Sequence, residues 1–530
     1  MSASLNSKPM PSRGVFRNIM TGKLLCLALL FPCLAGATVH LPHLFSHGMG
    51  LQRDQPVPFW GWAEPGESVT VEFAEQVKPV KADATGKWQI ALDPLPASAA
   101  PRTLRINSAS VTNVLVGDVF LCSGQSNMAM SMEAARRYPG TAEDIQSTSL
   151  PAVRFFQAPN ATFRETPQED VEAKWEPVAP ANNAHLSAVA FYFAKSLHAH
   201  LQVPLGILRA SHGGGSAEIK MPREALLSVP SGKKFYEDAI KRASPESVAA
   251  RNRIFQERYE AAVRDAKAKG AKPPEPPKPV SAVDGGYPCS DWNGVIAPII
   301  PYAKRGIVWY QGEHNAGRAF AYREIFPALI RSWRAASGQP GLPFLFVQLP
   351  AYDSPGKSDD WATLRESMLV TLQTVTNTAM IVTIDHGERD NIHPADKQPV
   401  GERLALEARR LIYGQPVTGC GPLYARFTVD GANLVVRFRD TGVSPVSLSA
   451  TTTPAMGGTP MLLSGFTLAG EDRKFVAATA VIRGNTVVLS SPAVPKPVAA
   501  RYAWANWPQP SLFDAQGLPA SPFRTDDWEK

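Results

Sequence analysis

The sequence predicts an α/β protein: a doubly wound core of parallel strands, with one β-sandwich-like module before it in the chain and another after it. Three observations predict this. Between about residues 114 and 413, short runs rich in Val, Ile, Leu and Phe alternate with segments of helical period, the pattern of βαβ units. From about 38 to 113, runs such as Ser68-Val69-Thr70-Val71-Glu72-Phe73 and Lys87-Trp88-Gln89-Ile90-Ala91-Leu92 alternate polar with apolar residues between Gly, Pro and Asp turns, and no helical period interrupts them. After Gly421 the short alternation returns, in Leu434-Val435-Val436-Arg437-Phe438 and Thr486-Val487-Val488-Leu489. Several half-buried strands must close over one core, and a small sandwich does so.

The first 37 residues read as an export signal. Lys8, Arg13, Arg17 and Lys23 make a basic start without an acidic residue, the apolar run 24–34 follows, and Ala35-Gly36-Ala37 is a small-x-small cleavage pattern. That run is too short to span a bilayer and no later one is long enough. The expectation is an exported chain, periplasmic or extracellular, beginning near Thr38 and with no membrane insertion of the mature part. Cys26 and Cys33 fall inside the leader, leaving Cys122, Cys289 and Cys420, an odd number that argues against a disulfide framework. The formal charge of +7 drops to +3 without the four leader cations, so there is no case for a nucleic-acid partner.

Residues 38–113 then form the N-terminal β module and 114–415 the α/β domain. In the latter, strands are expected at 153–156, 204–208, 306–310, 344–349 and 380–385, and helices at 189–198, 322–335, 364–375 and 399–411. Residues 230–285 look inserted: Lys, Glu, Ala and Arg fill a helix-like run at 235–269, and a Pro-rich linker at 273–279 closes it. The charge run reads as a solvated helical hairpin and carries no chemistry. Residues 416–530 form the C-terminal β module.

Chemistry concentrates at four expected strand ends. Leu121-Cys122-Ser123-Gly124-Gln125-Ser126-Asn127-Met128 places Ser126 in a Gly-led turn after a strand, where open α/β sheets bind ligands. Serine needs an adjacent base to become a nucleophile. His393, in Asp390-Asn391-Ile392-His393-Pro394, is the candidate base, with Asp390 spaced to orient its imidazole. Donors for an oxyanion are offered by the backbone of His212-Gly213-Gly214-Gly215-Ser216 and by the Gln311 amide in Trp309-Tyr310-Gln311-Gly312-Glu313-His314-Asn315. The nucleophile elbow of α/β-hydrolases is absent, since Asn127-Met128 stands where its downstream glycine would be. No Walker loop, Rossmann glycine spacing or paired zinc motif occurs.

Gly124-Gln125-Ser126-Asn127-Met128, Trp309-Tyr310-Gln311-Gly312-Glu313 and the Asp-x-x-His loop resemble the SGNH/GDSL hydrolase superfamily, and within it the sialate O-acetylesterase family. The likeness extends to Leu51-Gln52-Arg53-Asp54-Gln55-Pro56-Val57-Pro58-Phe59-Trp60-Gly61-Trp62-Ala63, to Trp292-Asn293-Gly294-Val295-Ile296-Ala297-Pro298 and to Arg501-Tyr502-Ala503-Trp504-Ala505-Asn506-Trp507. The resemblance implies an SGNH-type fold without metal or cofactor. It implies Ser126 as nucleophile, His393 as base and Asp390 as acid, with an oxyanion hole from the Ser126 N–H, Gly214 (Gly213 being the next choice) and Gln311. Three departures stand out: Gly215 in place of threonine, His212 in place of tryptophan, and Asn391 where related chains carry an acid two residues before the histidine. A Ser–His dyad is therefore the alternative to the triad.

The implied activity is release of acetate from an O-acetylated glycan, sialic acid by resemblance, with xylan or pectin acetyl groups as the alternative. A glycan carboxylate would favour a basic pocket, for which Arg209, Lys220, Arg318 and Arg323 lie near the expected loops. A different class of function, non-catalytic glycan binding, would use Trp60, Trp62, Trp504 and Trp507 as stacking surfaces. Oligomeric state is not legible.

Overall fold

The computed structural model describes residues 39–159, 163–284, 286–353, 360–439, 448–449 and 463–528; the expected leader, residues 1–37, lies outside them. The first strands are β1 (Gly50–Gln52), β2 (Val57–Trp62), β3 (Ser68–Phe73), β4 (Gln76–Lys81), β5 (Lys87–Leu92), β6 (Ser98–Ile106) and β7 (Ala109–Gly124). β3 pairs with β4 and β6, and β2 with β5, all antiparallel. Val69, Val71 and Phe73 of β3 are buried while Ser68 and Glu72 are exposed, so the period of two read in the sequence is a core-in, solvent-out face.

Later strands are β8 (Leu150–Gln157), β9 (Trp175–Val178), β10 (Leu205–Ser211), β11 (Gly306–Tyr310), β12 (Phe344–Gln348) and β13 (Thr378–Val382). Their order across the large mixed sheet is β13-β12-β11-β7-β10-β8-β9, every neighbouring pair parallel except β8 and β9. β11, β12 and β13 are buried at every residue, which is why they read as unbroken apolar runs: both faces are covered. The pattern switches near Asn113, yet β7 is continuous through that point. Its early residues pair with β6 and β1, and from Asp118 onward it pairs with β10.

Around the strands lie α1 (Ser126–Ala129), α2 (Ala188–Leu201), α3 (Pro230–Ala243), α4 (Pro245–Ala268), α5 (Tyr322–Ala336), α6 (Trp361–Thr374) and α7 (Gln398–Leu411). The helical hairpin expected in the inserted segment is the pair α3 and α4. Ser244 caps α4 by accepting the Ser247 N–H, and Pro245 starts it; a proline there lacks the N–H that would continue α3. α4 buries none of its residues, as its charge implies. Among the described residues no helix is long and apolar enough to cross a membrane. Cys122, Cys289 and Cys420 are buried free thiols.

Past Gly421, Leu423–Asp430, Asn433–Arg439, Thr486–Ser490 and Thr479–Arg483 make one antiparallel sheet, and Val476–Ala477, Phe466–Ala469, Ala499–Tyr502 and Phe523–Arg524 another. Arg365 of α6 ties this part to the core. Fully buried, it donates to Leu349 O and Pro350 O on one side and to Ala505 O and Asn506 O on the other. Burial pushes its guanidinium down to about 9. An unpaired buried carbonyl costs about 1–3 kcal/mol, and Arg365→Met takes the donor from Leu349 O, Pro350 O and Ala505 O together, while Asn506 O keeps the Tyr352 N–H. The expected result is a loss of roughly 3 kcal/mol or more, measured by urea denaturation; a loss under about 1 kcal/mol would refute the tie.

Candidate active site

Ser126 sits where β7 ends between two parallel neighbours. Gly124 is paired with Tyr310 of β11 and Ser211 of β10, at φ 147°, and a Cβ there would lie 2.0 Å from the Tyr310 carbonyl oxygen. Only glycine lets the strand turn so close to β11. The Gln125 N–H donates to that same oxygen at 3.0 Å, and Gln125 Oε1 accepts from the Gly312 and His314 N–H groups. Ser126 then opens α1, where the first helical N–H has no acceptor within the helix.

Across the crevice, Ser126 Oγ lies 2.7 Å from His393 Nε2, within reach for direct proton transfer. The loop carrying His393 is held by its backbone. The His393 N–H donates to Asn391 Oδ1 at 3.0 Å and Arg137 to the His393 carbonyl at 3.2 Å. Glu388 closes the loop by accepting from Asn391 and from the Ala395 N–H, both at 2.8 Å. Burial alone would raise the Glu388 carboxyl, but hydrogen bonds from Arg137 and Asn391 hold it below its ordinary value.

Behind Ser126 is a buried polar strap. Asn127 donates to the Ile392 carbonyl at 3.0 Å and to Glu313, and its Oδ1 accepts from Lys397 Nζ at 2.6 Å. Asn127, Glu313 and Lys397 are all buried. Burial pushes the Lys397 ammonium down to about 7 and the Glu313 carboxyl up. Partial burial, and next the Lys397 charge, lower the His393 imidazole from its ordinary value. A base works in its neutral form, so the acid limb of kcat/KM should have its midpoint below pH 6.5. A midpoint at or above 6.5 in a pH–rate profile would contradict this electrostatic picture.

The neighbouring loops form a second buried chain. Tyr322 OH donates to Gln311 Oε1 at 3.0 Å, Gln311 Nε2 to Asn315 Oδ1 at 2.7 Å and Asn315 Nδ2 to Glu218 at 2.9 Å. Gln311 Nε2 also reaches Gly215 O at 3.4 Å, longer than a good hydrogen bond. A Cβ on Gly213 would lie 3.7 Å from Ser126 Cβ, whereas one on Gly214 would meet nothing within 4 Å.

Comparison with known proteins fits this constellation. Residues 297–410, which hold Gln311, Asp390 and His393, match the carbohydrate esterase family described as sialic acid-specific acetylesterase. Human sialate O-acetylesterase is 31% identical over 76% of this chain and 77% of its own length. The orangutan (Pongo abelii) enzyme is 29% identical over 95% and 96%. The chain belongs to the sialate O-acetylesterase family. A crystal structure of a carbohydrate acetylesterase from Xanthomonas citri is 33% identical, covers 93% of this chain and all of its own, and superposes with a TM-score of 0.76. The protein is a carboxylic ester hydrolase of this family.

In this esterase Ser126 and His393 come together as the sequence motifs suggest. Asp390 does not reach them: it is exposed, and among the described residues no carboxylate bonds His393 Nδ1. The three-residue spacing runs through a turn whose Asn391 side chain faces back onto the His393 backbone. Gly213, not Gly214, is the glycine against Ser126, because Gly214 stands at the outer, left-handed position of its turn (φ 76°). Gln311 is buried with its amide engaged. The four cations considered for a glycan carboxylate are also engaged: Lys220 pairs with Asp291, Arg318 with Glu218 and Arg323 with Glu366, while Arg209 is half-buried and donates to Ser211 O. Asn127, Glu313 and Lys397 escaped the sequence reading; Asn127 and Glu313 adjoin recognised motif residues, but nothing local marks Lys397 as buried.

Proposed function

We propose that the protein is an exported serine esterase that removes acetyl groups from O-acetylated carbohydrates through an acetyl-enzyme on Ser126. The observation that carries this reading is the 2.7 Å contact between Ser126 Oγ and His393 Nε2 at the carboxyl ends of the parallel strands. His393 takes the Ser126 proton as Oγ attacks the acetyl carbonyl, then delivers it to the departing sugar oxygen. Water, deprotonated by His393, next attacks the acetyl-enzyme, and acetate leaves as Ser126 recovers its proton.

The developing oxyanion is met by the Ser126 N–H and the Gly213 N–H. Gln311 is the third donor, its amide hydrogen toward Gly215 O being loosely held. Asp390 has no contact in support of its part as acid. The orienting role falls to the His393 loop and the strap through Asn127, which makes the working unit a Ser–His dyad. The parallel strand order supports an SGNH-type doubly wound core in residues 114–415, flanked by sandwich-like modules at 38–113 and 416–530. The basic, apolar first 37 residues support export.

Acetylated sialic acid is the substrate that family membership favours. One observation favours a second reading, acetylated xylan or another neutral polysaccharide: each of the four cations is already bonded to a carboxylate or carbonyl of the protein itself. Acetate release from O-acetylated sialic acid, acetylated xylan, acetylated pectin and an aryl acetate tests both. A kcat/KM on sialic acid at least about tenfold above xylan supports the first and the reverse order the second, while a preference for pectin, a polyuronate, would refute the argument from charge. Folded protein with no hydrolysis of any ester would refute catalysis and leave glycan binding.

A further inference from the structure

Trp60 and Trp62, set aside by the catalytic argument, line a cleft of about 520 Å³, to which no residue of the Ser126, Gly213, Gln311 or His393 loops contributes. In the β2–β5 ribbon Trp60 is paired with Gln89 and Trp62 with Lys87. Cross-strand partners share a face, so two indoles, an amide and an ammonium project from one side of the ribbon. Both indoles are half-buried, and Trp60 is braced by Phe45, edge-on at 4.6 Å. The facing wall is the 167–169 segment together with Pro298 and Pro301. It is clipped to the ribbon by the Trp62 Nε1–H bond to Glu169 at 3.3 Å and by the Lys87–Glu169 ion pair.

We propose that this cleft is a saccharide-binding subsite, separate from the catalytic crevice, that takes an uncharged pyranose unit of a glycan. The volume falls in the ordinary range of small-molecule sites, and so does the mixture of flat apolar walls with a few polar groups. Indole faces cover the C–H face of a pyranose ring, and Gln89, Gln168 and the carboxylates offer planar donors and acceptors to neighbouring hydroxyls. Charge selects the ligand class. The cleft holds the carboxylates of Asp83 and Glu169 against one ammonium, Lys87, already committed to Glu169. Its residual charge is negative, which disfavours a sialic acid or uronic acid here. By contrast, Trp504 has Arg501 and Arg524 over its ring, so its face is occupied.

The proposal rests on the reading of the protein as a glycan esterase only for the presence of glycan, and its test reads binding without turnover. Full-length Ser126→Ala protein is titrated by calorimetry and tryptophan fluorescence with xylohexaose, cellohexaose, galactohexaose and sialyllactose. Saturable binding of at least one neutral hexasaccharide is expected, with sialyllactose at least tenfold weaker. In the Ser126→Ala background, Trp62→Ala and Gln89→Ala should each weaken binding about tenfold or more. Placed singly in the wild-type background, neither should change aryl acetate hydrolysis. Gln89 is exposed, so that variant keeps the test informative if Trp62→Ala fails to fold. Absence of neutral-saccharide binding, binding that survives Gln89→Ala, or a preference for sialyllactose would each overturn the proposal. Loss of aryl acetate hydrolysis in wild-type protein would instead count against the esterase reading alone.

Discussion

Ser126→Ala is expected to release acetate from an aryl acetate at least about 10³-fold more slowly than wild type, at unchanged stability. The size of the loss follows from role: without Oγ no acetyl-enzyme forms, and what remains is the binding and oxyanion contribution. Stability should move by no more than about 0.5 kcal/mol, because Ser126 is only half-buried and its hydroxyl meets His393 rather than a core group. His393→Ala should cost about as much, and the double variant little more, since the two act as one unit. Asp390→Ala supplies the contrast. Its side chain is exposed and, among the described residues, makes no hydrogen bond to either partner, and the expected loss is less than about threefold. Steady-state kinetics with mass-spectrometric trapping of the acetyl-enzyme decide the matter. A Ser126→Ala protein that keeps a tenth of its activity would end the nucleophile assignment, and a 10³-fold loss in Asp390→Ala would restore the triad.

The second large effect is expected at Lys397, which touches no substrate. Its ammonium bonds Asn127 Oδ1, and Asn127 in turn holds the Ile392 carbonyl beside the base and the chain beside the nucleophile. Removing the cation in Lys397→Met frees that strap. A misplacement of the reacting groups by about 1 Å can cost on the order of 10²-fold, so kcat should fall by that order with KM little changed. A second signature separates positioning from mere stability. Lys397 lowers the His393 imidazole, so deleting its charge should move the acid limb of kcat/KM upward, toward the ordinary histidine value. Asn127→Ala should lower kcat similarly, and the two losses should not add. If Lys397→Met unfolds more easily yet keeps the wild-type kcat and pH limb, the residue is structural only.

How much of this was legible along the chain depends on whether the signal is local. Ser68–Phe73 and Lys87–Leu92 were readable to the residue as strands, because alternation is a property of six consecutive side chains. The expected helix at 322–335 is Tyr322–Ala336, its apolar stripe standing clear of charged neighbours. Boundaries drifted where burial overrides pattern: the strand expected at 380–385 is Thr378–Val382, an apolar run having no period to mark its ends. The hairpin in the inserted segment was legible from its charge, while the position of its turn at Ser244, a Ser-Pro cap, was not, because Lys, Glu and Ala favour helix on both sides.

For the site, Ser126, His393, the Gly213–Gly214 turn and Gln311 were each recognisable, because each follows a strand end or sits in a Gly-rich turn whose residue types are unusual. Their roles were not all recognisable. Whether Gln311 points its amide at substrate or spends it on Asn315 depends on a helix and a loop elsewhere in the fold. Residue spacing let Asp390 reach His393, and the folded turn set it on the surface instead. By itself, then, the sequence determined the element types, the family and the serine and histidine that the fold brings into contact, all carried by local periodicity and short motifs. Only the tertiary structure decided which glycine meets Ser126, which groups hold His393 and that Lys397 is buried behind them. Asn127 and Lys397 are 270 positions apart, and no local physical signal spans that distance; the β7 and β13 ends must first be brought together by the sheet.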